Sequence, residues 1–567
     1  MRSVVTIVAL ITALLAPLYA ATPEQVAQPP NVIVVNIDDL GPAWLPPYAG
    51  KLKPSDVEEV ICQNYAKRRA AQGAFDLQRH LDAARNSMPC LDTLARQGAV
   101  FNWCFSTASI CAPSRSALLT GRYQQRWGAY SIPDVLAAGI PDKVPCLAEA
   151  FQKAGYTCGI IGKWHVGVRD PAVWSQAEAK VNEEGRVKPA RQKKAIAEAA
   201  ASLGYETSCA PGQHPLDKGF DYYFGYNKHA TQYYEADDLW ENRQRVPQRP
   251  PGEFLTDLFN AKASEFVNHA LQDGHPFLLY YAPMTVHGRL DPPPVKYSLQ
   301  FHTGIKSTDE FAGHLRALDE GIRRIFDILK VYHQDQNTLF MLTADNGPAA
   351  AIPPYNAPLH GGKGTGWLGG THVPLIIYWP GHVKPMIREE LVSHLDILPT
   401  ALDAAGLKPP QPVDGQTLLP LLRGAVTTGP HAWLFSAGLH AVNWSYPYFE
   451  TNGKGKDERT CPMYLWGLSQ TSLLMFITPT HPGVYDAFPE GRPAQTLFYD
   501  IRKDLKQTKN LYAPDADVKQ GSAAIANWLR TTTPPTAIHQ DDYHELLEMD
   551  AATSGKDDLP ASDLKIN

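Results

Sequence analysis

An apolar, β-branched run that ends in two carboxylates stands near the start of the chain: Asn31-Val32-Ile33-Val34-Val35-Asn36-Ile37-Asp38-Asp39. A short run of this kind, rich in Val and Ile, predicts a strand that is buried on both faces, as in a parallel sheet covered by helices. If other runs have the same form, their polar ends should lie together at one edge of the sheet.

Three further runs repeat this pattern of an apolar strand followed by polar residues. They are 156–161, 277–281 and 338–343, and they lead into Gly162-Lys163-Trp164-His165, Met284-Thr285-Val286-His287 and Asp345-Asn346-Gly347. Ligands of open parallel sheets bind outside the carboxyl ends of the strands, so the four ends predict one shared crevice. Each end taken alone is also ordinary turn chemistry, but coincidence across four strands favours a site.

Helical stretches between these runs complete an α/β rhythm up to about residue 430. Residues 147–155 predict a helix that stops at a glycine, and residues 311–330 predict a long amphipathic helix. The run 373–379 carries Pro374 near its start, which favours an edge or terminal strand. The predicted fold class is α/β: a large, mostly parallel sheet flanked by helices, with a smaller C-terminal α+β subdomain.

The chain divides into four predicted segments. They are a signal peptide at 1–20, a catalytic domain at 22–430, a C-terminal subdomain at 431–535 and a polar, acidic, mobile tail at 536–567. Two charged, alanine-rich insertions near 51–87 and 170–212 are expected to be helical. For both insertions, a functional lid and a solvated decoration remain open.

The N-terminal segment and the overall charge indicate where the protein acts. One early positive charge, an apolar stretch and small residues at Ala20 and Ala21 are typical of a secretory signal; the alternative, a membrane anchor, is disfavoured because the run is short and Pro17 interrupts it. We expect export to the periplasm or the medium, with no membrane span in the mature chain. With 52 Lys and Arg against 58 Asp and Glu, the chain offers no basic surface for nucleic acid.

Eight cysteines occur in the 567 residues. In an oxidising compartment they are expected to pair as disulfides, although the pairing cannot be read from the sequence. Cys111 differs from the others because it begins a predicted helix, with Pro113 in the first turn and Gly121 at the end. The positive end of the helix favours anions there; the alternative is a half-cystine, with Cys104 as a nearby partner.

The segment that starts at Cys111 resembles the signature of the formylglycine-dependent sulfatases of the alkaline phosphatase superfamily. The signature, Cys-x-Pro-Ser-Arg followed by Leu-Thr-Gly-Arg, is complete between Cys111 and Arg122. The resemblance covers roughly residues 31–515, with the two insertions outside it. Its other motifs lie at Asp38-Asp39, 89–98, 162–165, 218–221, His287, 343–347, 362–364, 373–375, 396–400, 497–500 and 509–511.

The resemblance implies that Cys111 is oxidised to formylglycine, by a formylglycine-generating maturation enzyme. One hydroxyl of the hydrated aldehyde attacks sulfur, and the other loses its proton and expels sulfate as the aldehyde forms again. Conversion of Cys111 leaves seven thiols, an odd number, so at least one is unpaired. Cys158, within an apolar run, is the expected buried thiol.

The resemblance also implies a divalent cation. Asp38, Asp39, Asp345 and Asn346, together with the converted Cys111, are its expected ligands. These residues offer hard oxygen donors and no soft ones, which favours Ca²⁺ over Mg²⁺ and disfavours zinc. The ion would lower the pKa of the attacking hydroxyl and offset charge on the sulfate oxygens.

Five cationic or protonatable residues are implied around the sulfate. Arg115 would contact the hydrate or the metal-bound carboxylates, with an exposed surface arginine as the alternative. Lys163 would bind a sulfate oxygen, and His165 would stabilise the hydrate or take its proton. His287 and Lys363 would act on the leaving-group side, where they polarise or protonate the departing oxygen.

The chain departs from the family pattern beside the expected site. Where many relatives have Glu-Gly-Gly-x-Arg-Val-Pro, it reads Leu368-Gly369-Gly370-Thr371-His372-Val373-Pro374, and an insertion follows Asp39. We expect these departures to alter leaving-group specificity. Candidates for contact with a sugar ring are Trp44, Arg289, Trp367 and His372, each weighed against plain packing.

Three functions follow from the residues and the resemblance. The first is a sulfatase that hydrolyses sulfate esters, with a sulfated carbohydrate preferred over a small aryl ester. The second is a phosphonate or phosphate ester hydrolase on the same scaffold. The third is a non-catalytic, carbohydrate-binding relative in which Cys111 is not converted. The substrate, the position of its sulfate and the oligomeric state are left open by the sequence.

Overall fold

The structure is a computed structural model, and it describes most of the chain after residue 27. The described ranges are 28–184, 189–228, 232–236, 238–247, 249–288, 290–349, 352–440, 462–479, 493–536 and 540–554. Three sequence predictions lie outside these ranges: the signal peptide at 1–20, Arg289 as a substrate contact, and the pairing of Cys461.

Eleven strands form the larger sheet, which confirms the predicted α/β class. Ten of them lie in the order β10-β2-β9-β8-β1-β7-β3-β4-β5-β6, and β11 also pairs with β2. The strands from β8 to β4 through β1, β7 and β3 are parallel to one another. Their bounds are β1 Asn31–Ile37, β2 Ala99–Phe105, β3 Thr157–Lys163, β4 Tyr222–Tyr226, β5 Leu239–Glu241, β6 Gln244–Arg245, β7 Phe277–Ala282, β8 Thr338–Ala344, β9 His372–Tyr378, β10 Met386–Arg388 and β11 Val392–Ser393.

Helices cover both faces of this sheet. On one face α9 packs on β3 and β7, α3 packs on β9, and α11 packs on α9 and α3; on the other α6 packs on β3 and α13 on β8. The bounds are α1 Glu59–Arg68, α2 Leu77–Ser87, α3 Pro89–Gln97, α4 Cys111–Thr120, α5 Ile132–Ala138, α6 Leu147–Lys153, α7 Pro171–Glu184, α8 Pro189–Ser202, α9 Leu255–Gln272, α10 Val295–Ser298, α11 Lys306–Val331, α12 Leu368–Thr371, α13 Ile397–Ala404, α14 Leu419–Leu422, α15 Ala516–Leu529 and α16 Gln540–Ser554. The helices predicted at 147–155 and 311–330 are confirmed as α6 and α11.

The prediction that 373–379 is an edge or terminal strand is wrong. The run forms β9, which lies between β8 and β2 inside the sheet. Pro374 is tolerated there because it falls between the paired residues Val373 and Leu375, where the ladder with β2 shifts register. The Tyr48 hydroxyl accepts from the Leu375 N–H at 3.1 Å and donates to the Phe101 carbonyl at 2.9 Å.

Both insertions contain helices, as predicted. The first contributes α1 and α2, and α2 packs against α11 on the sheet. The second forms the α7 and α8 hairpin, which buries Ala177, Val181, Ile196 and Ala200 between its two helices. This hairpin follows directly on the end of β3, although its role as lid or decoration remains a prediction.

A separate antiparallel sheet follows the larger one. Its strands, in order, are β12 Leu434–Leu439, β13 Met463–Leu468, β14 Ser472–Ile477 and β15 Gln495–Asp500. Helices α15 and α16 pack on β13 and β14. Tyr543 and Leu546 of α16 are buried in the core of this sheet, so the expectation of a mobile tail is wrong for residues 540–554.

The expected pairing of cysteines as disulfides is also wrong for the described part of the chain. Seven cysteines lie there, and none of them forms a disulfide. Cys104, Cys146 and Cys158 are buried in different elements, where a thiol packs as a small apolar group. Cys158 is free and buried, as the sequence predicted, and it shares this state with other cysteines of the described chain. Among the described residues, no helix is both long enough and apolar enough to cross a membrane.

Candidate active site

Four adjacent parallel strands end at one edge of the sheet, and their ends carry the predicted site residues. In the order β8-β1-β7-β3, these strands lead into Asp345 and Asn346, Asp38 and Asp39, His287, and Lys163 and His165. The parallel arrangement is what brings together residues that are far apart in the sequence. Direct contacts between side chains from different strands follow from it.

The carboxylates form one buried group. The Asn346 side-chain amide donates to Asp39 Oδ1 at 2.8 Å. Asp345 Oδ1 accepts from the main-chain N–H of Asp39 at 3.1 Å and of Asn346 at 2.9 Å. Because Asp38, Asp39, Asp345 and Asn346 are all nearly inaccessible to solvent, their charges interact strongly.

Arg115 compensates much of this negative charge from the first turns of α4. Its Nε and Nη2 atoms both lie 2.8 Å from Asp345 Oδ2, and Nη2 lies 3.5 Å from Asp38 Oδ2. Nη1 donates to the Lys163 carbonyl at 3.1 Å. The side chain is fully buried, so the alternative of an exposed surface arginine is wrong.

Two lysines, one at the end of β3 and one in the loop before α12, contact this carboxylate group. Lys163 Nζ donates to Asp38 Oδ2 at 2.8 Å, and Lys363 Nζ donates to Asp39 Oδ2 at 2.8 Å. His287 Nε2 lies 3.8 Å from Asp39 Oδ2. The side chains of these three residues therefore lie next to the carboxylate group.

Burial and charge shift the pKa values of these groups in different directions. Burial alone would raise the pKa of Asp38, but Lys163, His287 and Arg115 hold it well below its usual value. Burial, together with the charge of Asp38, raises the pKa of Asp345 to about 7. Burial and the nearby Lys363 lower the pKa of His287 to about 4, so at neutral pH this imidazole is neutral.

Cys111 lies at the N-terminus of α4, as predicted, and Gly121 ends the helix with a φ of 61°. The thiol is buried, and burial raises its pKa although Lys163 and Lys363 oppose the shift. The loop before it is tied to the loop of Lys363, because the Gly364 N–H donates to the Ser109 carbonyl at 2.7 Å. This hydrogen bond holds the loop of Lys363 next to the segment that carries Cys111 and Arg115.

The donor set fits a hard divalent cation. Asp38 Oδ1 and Asn346 Oδ1 are buried and have no hydrogen-bond partner among the described residues. Asp38, Asp39 and His287 each offer a ligand atom within 4.8 Å of the others. Carboxylate and amide oxygens are the ligands that Ca²⁺ and Mg²⁺ prefer, and a buried carboxylate oxygen without a partner is costly unless a cation neutralises it.

Three aromatic and histidine candidates for sugar contact lie in packed surroundings. The ring nitrogens of His372 face the Asn102 carbonyl at 2.9 Å and Asn356 Oδ1 at 3.2 Å. Trp44 is buried against His80 and Phe311. Trp367 contacts His360, His440 and Tyr499 and remains partly accessible. Trp367 and His372 are both partly accessible, whereas Trp44 is buried, so these two keep some of the surface that a sugar would need.

Further polar residues, which no sequence motif indicated, contact the main chain beside the strand ends. Lys228 follows β4, a fifth strand whose carboxyl end lies at the same edge, and its Nζ donates to the Gly167 carbonyl at 2.5 Å. The Tyr233 hydroxyl donates to the main-chain carbonyls of Met284 at 3.2 Å and His287 at 3.3 Å. Lys228 could have been found by extending the polar strand-end pattern to residues 222–228.

The chain is similar to known proteins in both sequence and structure. The family model described as Sulfatase matches residues 75–407. A second model, described as N-sulphoglucosamine sulphohydrolase, C-terminal, matches residues 369–456.

Curated relatives and solved structures agree with these matches. An uncharacterised sulfatase of Escherichia coli K12, YdeN, is 29% identical over 526 residues, covering 91% of this chain and 88% of the relative. Human N-acetylgalactosamine-6-sulfatase is 30% identical over 434 residues, covering 71% of this chain and 68% of the relative. The crystal structure of Ps i-CgsB superposes with a TM-score of 0.65 at 21% identity, covering 94% of this chain and 99% of that one.

Proposed function

Because the chain belongs to the sulfatase family and is a sulfuric ester hydrolase, we propose that it hydrolyses sulfate esters of carbohydrates at the carboxyl edge of its large sheet. The observation that carries this proposal is the convergence of Lys163, Lys363 and Arg115 on a buried carboxylate group next to Cys111. A sulfate ester bound there, a monoanion, would meet these cationic donors next to the reacting side chain.

We propose that the nucleophile is formylglycine made from Cys111 by a maturation enzyme. The hydrated aldehyde would supply a hydroxyl that attacks sulfur and a second hydroxyl that allows sulfate to leave. The position of Cys111 supports this role, because it begins α4 and lies within the field of Lys163 and Lys363. The start of α4 also points its main-chain N–H groups toward an anion at this position.

We propose Ca²⁺ as the cofactor, with Mg²⁺ as the less favoured ion. Asp38, Asp39, Asp345 and Asn346 would hold it together with the converted Cys111. When bound, the cation would lower the pKa of the hydroxyl nucleophile and offset charge on the sulfate oxygens. Arg115 would keep Asp345 in place through its two short contacts with Oδ2.

The remaining cationic residues divide between sulfate and leaving group in this proposal. Lys163, at the end of β3, would bind a sulfate oxygen. His165, two residues later, would accept the proton that starts aldehyde regeneration. Lys363 would protonate the departing alcohol, because the lowered pKa of His287 leaves that imidazole neutral at pH 7. His287 would donate a hydrogen bond to the same oxygen.

The choice of a carbohydrate substrate rests on relatives. Human N-acetylgalactosamine-6-sulfatase is named for a sulfated sugar, and it is 30% identical to this chain. Arylsulfatase A of Bos taurus is 29% identical to this chain, so a small aryl sulfate is the second candidate substrate. We further propose that the protein is exported, on the predicted signal at residues 1–20.

Steady-state rates test the function. The full chain, produced in a host that converts the cysteine, is assayed with a panel of defined sulfated saccharides, with 4-nitrophenyl sulfate and with the matched aryl phosphonate. The proposal predicts the highest kcat/KM for a sulfated saccharide. A higher kcat/KM for the phosphonate would contradict it and favour the phosphonate or phosphate ester hydrolase.

Replacing Lys363 by alanine should separate protonation of the leaving group from the other steps. A general acid contributes about 10²- to 10⁴-fold, so kcat for a sugar sulfate should fall by about that factor. The loss for 4-nitrophenyl sulfate should be about tenfold or less, because its leaving group needs little protonation.

Lys262→Ala is the matched control for this change, since Lys262 pairs with Glu241 away from the site. We expect it to leave both rates unchanged. An equal loss for both substrates in Lys363→Ala would contradict the role in protonation and leave Lys363 as a sulfate-binding residue.

A further inference from the structure

His394 is a fully buried histidine that the proposed mechanism does not use. It follows β11 and begins the short helical turn His394–Asp396, which lies against α4. Its ring faces two residues of the nucleophile segment, Thr107 before Cys111 and Ser114 after it. A buried imidazole between these two residues needs defined hydrogen-bond partners.

The contacts of His394 determine which nitrogen carries the proton. The main-chain N–H of Thr107 can only donate, and it lies 3.2 Å from Nε2, so Nε2 is the acceptor. Burial lowers the pKa of His394 to about 3, so the ring is neutral and its single proton is on Nδ1. Nδ1 faces Ser114 Oγ at 3.4 Å and is therefore the donor to it.

Ser114 continues the chain of hydrogen bonds toward the carboxylates. Its hydroxyl donates to the main-chain carbonyl of Asp345. A serine in a helix often donates instead to a carbonyl of its own preceding turn, which here would be that of Ile110. With Nδ1–H of His394 donating to the oxygen, the hydroxyl proton of Ser114 is directed at Asp345.

We propose that His394 is a positioning residue that orients the Ser114 hydroxyl onto the Asp345 carbonyl and thereby fixes the two expected cation ligands Asp345 and Asn346 against the helix of Cys111. The Asp345 carbonyl belongs to the peptide that joins these two ligands, so holding it sets the direction of both side chains. The inference rests on the proposed function, because it assigns these residues to a cation site.

A pair of amide substitutions separates this role from plain packing. Asparagine at 394 keeps a donor where Nδ1 lies, and glutamine keeps an acceptor where Nε2 lies. His394→Asn therefore retains the contact with Ser114, whereas His394→Gln retains the contact with Thr107. Both variants lose the imidazole and leave one former partner unsatisfied, so a packing role predicts similar effects for the two.

The measurement is calorimetric titration of each metal-free full chain with Ca²⁺ alone, together with kcat and KM on a sulfated substrate. Loss of a group that is hydrogen-bonded to a metal ligand typically lowers metal affinity about 10- to 100-fold. His394→Gln should therefore weaken Ca²⁺ binding about tenfold or more. His394→Asn should stay within about threefold of the unaltered protein. The kcat of the Gln variant should fall while its KM changes little.

Ser114→Ala should reproduce the weakening seen in His394→Gln, and the double variant should be no worse than either single one, because both remove the same chain of hydrogen bonds. His80→Gln, at another buried histidine whose ring packs on Trp44 and Phe75, is the control and should not change Ca²⁺ affinity.

Equal Ca²⁺ affinities for the Asn and Gln variants of an active, Ca²⁺-binding protein would overturn the inference alone. Absence of Ca²⁺ binding by the unaltered active protein would overturn both the inference and the proposed cofactor.

Discussion

Replacing Cys111 by alanine is expected to abolish hydrolysis of sulfate esters, with a loss of about 10⁴-fold or more in kcat. This side chain is the proposed nucleophile of the cycle, and neither the cation nor Lys163 and Lys363 can replace a missing covalent step. The variant should bind substrate, since the lysines and Arg115 are unchanged. Stopped assays at high enzyme concentration set the limit on residual turnover.

The fold should survive this change. Cys111 is buried at the first turn of α4 and makes no disulfide, so alanine in place of its converted side chain removes only the aldehyde oxygen and leaves a small cavity. Cys158→Ala is the matched control, because Cys158 is also a buried free thiol but lies within β3. We expect full activity from it. Near-normal activity in Cys111→Ala would refute the nucleophile.

Replacing Asp345 by alanine is expected to produce the second largest effect. The carboxylate is both an expected ligand of the cation and the partner of Arg115 at 2.8 Å. Removing the outer partners of metal ligands already costs 10- to 100-fold, so loss of the ligand itself should lower kcat/KM at least about 100-fold. The metal content, measured by mass spectrometry of the purified protein, should fall with it.

The same change should also destabilise the protein. Arg115 is fully buried, and after the change its nearest carboxylate would be Asp38 at 3.5 Å, beside its hydrogen bond to the Lys163 carbonyl at 3.1 Å. Breaking one side of a buried ion pair costs about 3 to 5 kcal/mol in the free energy of unfolding. Chemical denaturation followed by circular dichroism gives this number.

Asp345→Asn separates the two roles of the carboxylate. Its Oδ1 can still accept from the N–H groups of Asp39 and Asn346, so the loop after β8 should be retained. We expect a smaller loss of stability than in the alanine variant but a similar loss of activity. An unchanged metal content in both variants would remove Asp345 from the ligand set.

Much of the fold could be predicted because it depends on local patterns. Short apolar runs such as 31–37 and 338–343 became neighbouring parallel strands, and their polar ends meet at one edge. The helix from Cys111 begins and ends where Pro113 and Gly121 indicated. Both features follow from the spacing of apolar residues and from residues that begin or end helices. A single sequence shows both.

The errors concern features that only tertiary contacts decide. Pro374 is tolerated inside the sheet because β2 shifts register beside it, and a sequence pattern does not contain that partner strand. Helix α16 looked polar, yet Tyr543 and Leu546 are buried because a second sheet offers them a surface. The free cysteines follow from their separate positions in the fold rather than from the predicted compartment.

The sequence predicted the site residues that follow the strands directly. It did not predict the buried residues that contact them from neighbouring elements. Adjacent parallel strands bring six of the predicted residues together: Asp38, Asp39, Lys163, His287, Asp345 and Asn346. His394 and Ser114 act through main-chain groups, and no spacing in the sequence relates residues 280 positions apart. Contacts of this kind become visible only in three dimensions.

Peptide mass spectrometry of the active protein shows directly whether residue 111 has become formylglycine. Trypsin should release residues 97–115, a peptide that contains both Cys104 and Cys111, so that Cys104 is an internal control after alkylation of thiols. The account predicts one alkylated cysteine, at 104, and at 111 a residue in which one oxygen has replaced a sulfur and two hydrogens. A fully active sample that is alkylated at both positions would contradict it.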